Sequence, residues 1–183
     1  GDHFVAPVPS RQVQGTRLIP ETDNKWNWEV LRKINFYLAH SSNCDDADAR
    51  EHYDGLAHFF RAYFYFDKVR NYGDVPWYDR VPALSDNDYL YKDRDSRTFV
   101  DSCIMADFQY AMDSVRANDG NLQVNKYVVA AMASRFMLRE GTFLKYHKLD
   151  DVMAEKCLTM AKNAAELVMK LPDKVTLVTA PPK

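Results

Sequence analysis

The chain has 183 residues, of which 46% are hydrophobic, 13% aromatic and 27% charged, a globular composition long enough for one domain with a substantial core. With 24 Lys plus Arg against 26 Asp plus Glu, the formal charge of -2 excludes the basic surplus expected of a nucleic-acid-binding domain or a partner of anionic membranes. Six glycines are too few for a doubly wound nucleotide-binding fold or a multi-hairpin β protein, so the balance favours helices.

Residues 1–24 hold Pro7, Pro9 and Pro20 without periodicity and read as an extended N-terminal arm. The remainder, 25–183, reads as one helical domain. Its first helix is expected over Lys25 to His40, capped by Asp23 or Asn24, with Trp28, Leu31, Asn35 and Leu38 on one face. The acidic connector Ser41 to Asp48 offers carboxylates to the start of the next helix, where the macrodipole favours them.

From Glu51 to Asn71 two apolar stripes run at helical spacing. One is Tyr53, Leu56, Ala57, Phe60, Tyr63 and Phe64; the other is Phe59, Ala62, Phe66 and Val69. A helix apolar around most of its circumference is expected to be enclosed by neighbours, so truncating Phe60 or Phe64 to Ala should cost roughly 3 to 5 kcal/mol. Gly73 should close the helix in the left-handed conformation, and Pro76 cannot continue it. Arg61, costly to bury alone, is expected to meet Asp67, Asp74 or helix-terminal carbonyls, and Asp74 to fix the bend through its own backbone.

Asp79 to Asp95 reads as a long polar loop. Ser96 then caps a helix over Arg97 to Asn118 with the stripe Val100, Ile104, Phe108, Ala111 and Val115, ended by Asn118-Asp119-Gly120-Asn121. A fourth helix is expected from Asn125 to His147, with Ala130, Ala133 and Met137 on one side and Val128, Ala131, Arg135 and Leu138 on another. A fifth runs from Asp151 to Lys170, with Ala154, Cys157, Leu158, Ala161, Ala165 and Val168 inward and Pro172 limiting it. Five helices joined by turns predict an all-α fold of antiparallel helical hairpins with long irregular loops, a degenerate relative of tetratricopeptide arrays.

Cys44, Cys103 and Cys157 are widely separated and form no CxxC pair, which disfavours a disulfide framework or a structural zinc site. No apolar run reaches the length of a transmembrane helix. Gly1 in place of an initiator Met reads as a processed or recombinant end, any export signal having been removed.

The residues themselves resemble the N-terminal half of the SusD/RagB family, surface lipoproteins of Bacteroidota that capture nutrients for an outer-membrane transporter. The resemblance is carried by Trp28, Leu31, Ile34, Asn35 and Leu38, and by Gly55, Ala57, Phe59, Arg61, Ala62, Tyr63 and Tyr65 followed by Asn71-Tyr72-Gly73-Asp74-Val75-Pro76. Asp107, Phe108 and Ala111 fit it too, as do Ala130, Ala131, Ala133, Arg135 and Leu138, and the run Glu140 to His147. It spans about Trp26 to Lys170 and marks Gly55, Arg61, Tyr65, Gly73, Asp74 and Pro76 as structural positions. It implies tetratricopeptide-like helix pairs, a glycan or other nutrient ligand, a SusC-like TonB-dependent transporter as partner, and a lipid anchor on the outer-membrane surface. The implied fold needs no cofactor or metal. Family members are longer, so the chain is expected to be a fragment lacking most of a variable lobe, and the lipidated N-terminal Cys of the family has no counterpart here.

Trp77, Tyr78 and Arg80 follow the bend and precede the polar loop. Sugars present apolar C–H faces to aromatic rings and hydroxyls to Arg, so these residues, with Tyr89 and Tyr91, are candidates for a saccharide platform. The competing reading has Trp77 plugging the helical stack. Asp45, Asp46, Asp48 and Glu51 supply neither the apolar pocket nor the fixed separation that catalytic carboxylates need, and capping explains them. His52 and His58 do not share a helix face as an HxxxH pair would, and His40 and His147 are placed to meet helix-terminal carbonyls. No nucleophile elbow, phosphate-binding loop or dinucleotide fingerprint is present, so a binding protein is expected and not an enzyme. The alternative to nutrient capture is a tetratricopeptide-type protein interaction module.

Overall fold

Asp46 and Gly73 set the two ends of the helix on which the fold is built. The computed structural model describes residues 11, 13–16, 25–118 and 123–170. Within them α2, Ala47–Tyr72, begins where the Asp46 carboxylate accepts the Ala49 N–H at 3.0 Å, as the acidic connector suggested. It ends where Gly73 takes φ +74° and donates its N–H to Val69 O at 2.9 Å.

The other helices are α1 (Glu29–His40), α3 (Asn87–Leu90), α4 (Arg97–Ser114), α5 (Lys126–Tyr146) and α6 (Asp151–Met169), with a 3-10 turn at Ser41–Asn43. Five of the six answer to the expected helices; α3 is one extra turn inside the long loop. Among the described residues there is no strand, only an isolated antiparallel bridge between Val75 and Asp95, and no helix long and apolar enough to cross a membrane. The fold is all-α. Most of the expected arm, the Asp23 or Asn24 cap, Asp119 to Asn121 and Pro172 lie outside the described residues.

Neighbouring helices run antiparallel. Gly55, near the start of α2, lies against Ser114 and Val115 at the end of α4, and Arg97, at the start of α4, pairs with Glu140 near the end of α5. A Cβ on Gly55 would stand 2.8 Å from Val115 Cγ2, so hydrogen is the only side chain this crossing admits without displacement. The same holds at Gly141, where a Cβ would meet the Ala154 carbonyl at 3.0 Å and Leu158 Cγ at 2.7 Å. Buried Ala130, Ala133, Ala154, Ala161 and Ala164 let α5 and α6 lie close along their length.

The core is aromatic where α2, α4 and α5 meet. Phe66 stacks on Phe136 with centroids 3.9 Å apart and 6° between planes, and Phe108 closes against Phe59 and Phe136. Val100, Ile104, Phe108, Ala111 and Val115 are buried, as their spacing required. Each large apolar side chain so enclosed contributes roughly 1.5 to 3 kcal/mol.

Several boundaries and burial expectations are corrected. α1 starts at Glu29, not Lys25, because Asn27 Oδ1 takes the Glu29 N–H at 2.7 Å and leaves residues 25–28 as a separate turn. α4 stops at Ser114, not Asn118, because Val115 turns extended to fill the space over Gly55 and the Arg116 N–H is taken by buried His52 Nδ1 at 3.2 Å. Only one of the two expected stripes of α2 is buried throughout, although Ala57 of the other is buried and Arg61, Tyr65 and Lys68 are enclosed between them. Phe59, Ala62, Phe66 and Val69 are buried, whereas Tyr53, Phe60 and Tyr63 remain exposed, Phe60 at 47%. On α6, Ala154 and Ala161 are buried as expected, but it is Ala164 that joins them, Ala165 being only partly covered.

The turn before α1 is fixed by a cation. Lys68 of α2 donates to Lys25 O, and its Nζ lies 4.9 to 6.0 Å from the ring centres of Phe64, Trp28, Trp26 and Tyr72. Rings surrounding a partly desolvated ammonium attract it through their negative faces. This box brings Trp26 and Trp28 to the side of α2 from which the 73–96 connection departs.

Candidate functional site

The connection from α2 to α4 has almost no backbone pairing of its own, so buried side chains hold it. Tyr65, fully enclosed, is the main one: its hydroxyl accepts the Tyr78 N–H at 2.5 Å and reaches the carbonyls of Pro76 and Tyr78 at 3.3 Å. Burial raises its pKa, so the hydroxyl keeps its proton. Asn35 of α1 donates to Tyr78 O at 2.9 Å and accepts from Arg61 at 3.3 Å.

Arg61 does not meet Asp67 or Asp74. It is held by Asp107 of α4 through two bonds of 2.7 Å, and its other amino group approaches Asp79 O at 3.5 Å. Burial works to lower its pKa, but the hydrogen bonds and charge of Asp107 outweigh that and leave it raised. His58 Nδ1 adds a 2.6 Å contact to the same carboxylate. Asp74 likewise acts at a distance: its carboxylate accepts the Arg97 N–H at 2.8 Å, at the first turn of α4, and does not bond its own bend.

On this frame the candidate ligand residues separate. Trp77 is buried; its ring lies 4.2 Å from that of Tyr65 with Arg61 above it, so it fills the end of the stack. Tyr78 and Arg80 line a cavity of about 540 Å³ between the start of α1 and the loop. Tyr89 stands behind them. Its hydroxyl donates to Asp79 Oδ1 at 2.9 Å and accepts the N–H groups of Asp79 and Arg80, while Arg80 covers its ring at 4.0 Å and pairs with Asp86 at 2.5 Å. Tyr91 is 82% exposed and apart from the cavity.

The remaining wall was not anticipated. Trp26, Trp28, Leu31 and Arg32 supply it from the other side, with Pro82, Leu84 and Leu90 as an apolar rim. Tyr78 makes edge contacts with both Trp28, at 5.4 Å, and Tyr89, at 5.2 Å, and its hydroxyl donates to Leu90 O at 3.1 Å. Its pKa is raised by burial and then by the charge of Asp95. The signal in the sequence was the pair Trp26 and Trp28 just ahead of a helix.

Such a cavity can seat a ring against indole and phenol faces while charged groups bind its substituents, at a volume typical of small-ligand sites. The acidic cluster offers no comparable site: Asp45, Asp46, Asp48 and Glu51 are exposed at the start of α2. Among the described residues no group of three His, Cys, Asp or Glu is placed to hold a metal ion. His40 Nδ1 lies 2.8 Å from Phe36 O, as expected, whereas His147 packs on the rings of Phe143 and Tyr146. A larger, open groove of about 1000 Å³ runs between α4 and α6, lined by Met105, Met112 and Met160 with a rim of both charge signs and no aromatic ring.

No family model matches the sequence, and no curated protein matches it. Solved structures do. A SusD-like protein from Bacteroides fragilis NCTC 9343 superposes with a TM-score of 0.64 at 23% identity, covering 79% of this chain and 26% of its own. A SusD superfamily protein from Bacteroides vulgatus ATCC 8482 gives 0.62 at 22% identity, covering 81% of this chain and 29% of its own. A SusD-like carbohydrate binding protein from the same strain gives 0.61 at 15% identity, covering 81% and 31%. The chain thus spans between about a quarter and a third of the proteins it superposes on. The resemblance read from the Arg61 to Pro76 region extends to three dimensions, and the chain has the helical fold of SusD-like proteins.

Proposed function

We propose that the protein is a cell-surface nutrient-binding protein of SusD/RagB type, which captures an oligosaccharide without altering it and passes it to a SusC-like TonB-dependent transporter, held at the outer membrane by a lipid anchor. The observation that carries this reading is the aromatic-walled cavity bounded by Trp26, Trp28 and Tyr78 on a SusD-like fold. A pyranose stacks its C–H face on such rings, and Arg80 stands at the rim where hydroxyls would lie. A binding protein also needs its site held open without ligand, and the Tyr65, Asn35 and Arg61 contacts do that for the 76–79 segment.

Calorimetric titration of the full-length protein against a panel of plant and host oligosaccharides tests it. Binding to at least one glycan, weakened about tenfold or more by Tyr78→Ala, is expected. A flat response across the panel overturns it. Co-purification with the transporter and absence of turnover on the same panel test the remaining elements.

The Met-lined groove between α4 and α6 supports the second reading, a tetratricopeptide-type module that takes a peptide helix. Glutamate substitution at Met105 and Met160 separates the two: it would abolish peptide binding and leave glycan binding intact.

A further inference from the structure

We infer that the cavity beside α1 selects an anionic saccharide, one bearing a carboxylate or a sulfate, and that Arg32 is the residue that reads the charge. This deepens the saccharide reading and rests on it. The side chains with formal charge that line the cavity are Glu29, Arg32 and Arg80. Glu29 is held by Lys33 one turn along α1 at 2.7 Å, and that hydrogen bond lowers its pKa. Arg80 is held by Asp86 at 2.5 Å and spread over the Tyr89 ring. Arg32 has no ion-pair or hydrogen-bond partner for its guanidinium among the described residues.

An exposed arginine is hydrated and costs nothing while the cavity is empty. Once a sugar covers the indole wall, water is displaced from around the guanidinium, and an unanswered cation becomes a penalty. A neutral sugar leaves that penalty in place. An acidic one removes it, because the planar guanidinium presents paired donors that match a carboxylate or sulfate. Position supports the pairing: Arg32 stands one turn beyond Trp28, its backbone N–H donating to Trp28 O at 3.1 Å, and both residues line the cavity in which a pyranose would sit. The chain as a whole carries -2, so no general field attracts anions and the preference is local to this wall.

The test is calorimetric titration of the full-length protein with trigalacturonate, its fully methyl-esterified form and a sulfated galactose trimer, using wild type, Arg32→Gln and Arg32→Lys. At least one anionic trimer should bind about tenfold or more tighter than the ester, and the two anions distinguish carboxylate from sulfate. Arg32→Gln should bring that ligand down to the ester's affinity, Arg32→Lys should retain part of the margin, and added salt should narrow it. Melting curves of the variants check folding, and the acid-to-ester ratio on wild type decides the matter without any variant. Equal affinity for acid and ester overturns the selection by charge and leaves the saccharide reading standing. No heat with any of the three also overturns it, and the broader glycan panel then decides the saccharide reading separately.

Discussion

Arg61 on α2 and Asp107 on α4 face each other through two 2.7 Å hydrogen bonds, with side chains only 9% and 5% exposed. The pair joins two core helices and, through Asn35 and Asp79 O, fixes the start of the cavity-bearing loop. Removing one partner leaves a buried charge unanswered. Arg61→Met or Asp107→Leu should each cost about 3 to 5 kcal/mol in urea denaturation, and the double variant should recover part of that loss. Strict additivity of the two would show that the residues act independently.

Phe108 and Phe60 test where the core lies. Phe108 is enclosed by Phe59 and Phe136, while Phe60 is half exposed on the outer stripe of α2. Phe108→Ala should lose about 3 to 5 kcal/mol; Phe60→Ala should lose under about 1. Equal losses in thermal melts would mean that the outer stripe is covered in solution.

Gly73 has open space around its missing Cβ but a φ of +74° that L side chains rarely adopt. Gly73→Ala and Gly73→Val should therefore both destabilise, by about 1 to 3 kcal/mol, through backbone strain and without a clash. Unchanged melting temperatures would show that the corner relaxes.

Asp101 gives a pH signature. Both its carboxyl oxygens are buried without a hydrogen-bond partner among the described residues. Burial, aided by the Glu140 carboxylate and opposed by Arg97 and Arg139, pushes its pKa up to about 8. The folded state therefore holds a proton that the unfolded chain releases near its ordinary value of 3.8. This stabilisation is complete below that value and is lost as pH rises through the interval toward 8, by up to about 1.4 kcal/mol per pH unit. The stability of wild type to denaturant should fall from pH 5 to pH 8, and Asp101→Asn should flatten the profile and exceed wild type at pH 8. A profile that Asp101→Asn leaves unaltered would place the proton elsewhere.

Periodicity located the helices because each buries one face and exposes another; Val100 to Val115 recurs at that spacing and is enclosed throughout. It failed on α2, where both stripes are apolar and nothing local distinguishes Phe59, which is buried, from Phe60, which is not. Caps at Asp46 and Ser96 were legible because the carboxylate or hydroxyl sits next to the N–H groups it serves. The partners of Arg61 and Asp74 were not, since they lie on α4, far along the chain, and composition offers nearer carboxylates. The cavity was half legible: Tyr78 and Arg80 follow the Gly73 corner, but Trp26, Trp28 and Arg32 join them only through the Lys68 box and the packing of α1 on α2.

The segment from Val75 to Asp95 is fastened to the rest of the molecule at its margins and to itself between them. At one margin stand Tyr65 and Asn35; at the other, Lys92 and Asp95, which bind the Trp77 carbonyl and N–H at 3.1 and 2.7 Å. Between these clasps the Tyr89 hydroxyl, the Arg80–Asp86 pair and the Tyr78 bond to Leu90 O tie the segment to itself. The stretch 80–91 is thus a self-braced cassette seated on the helical chassis, and changes within it should fall on its own geometry before they reach the core.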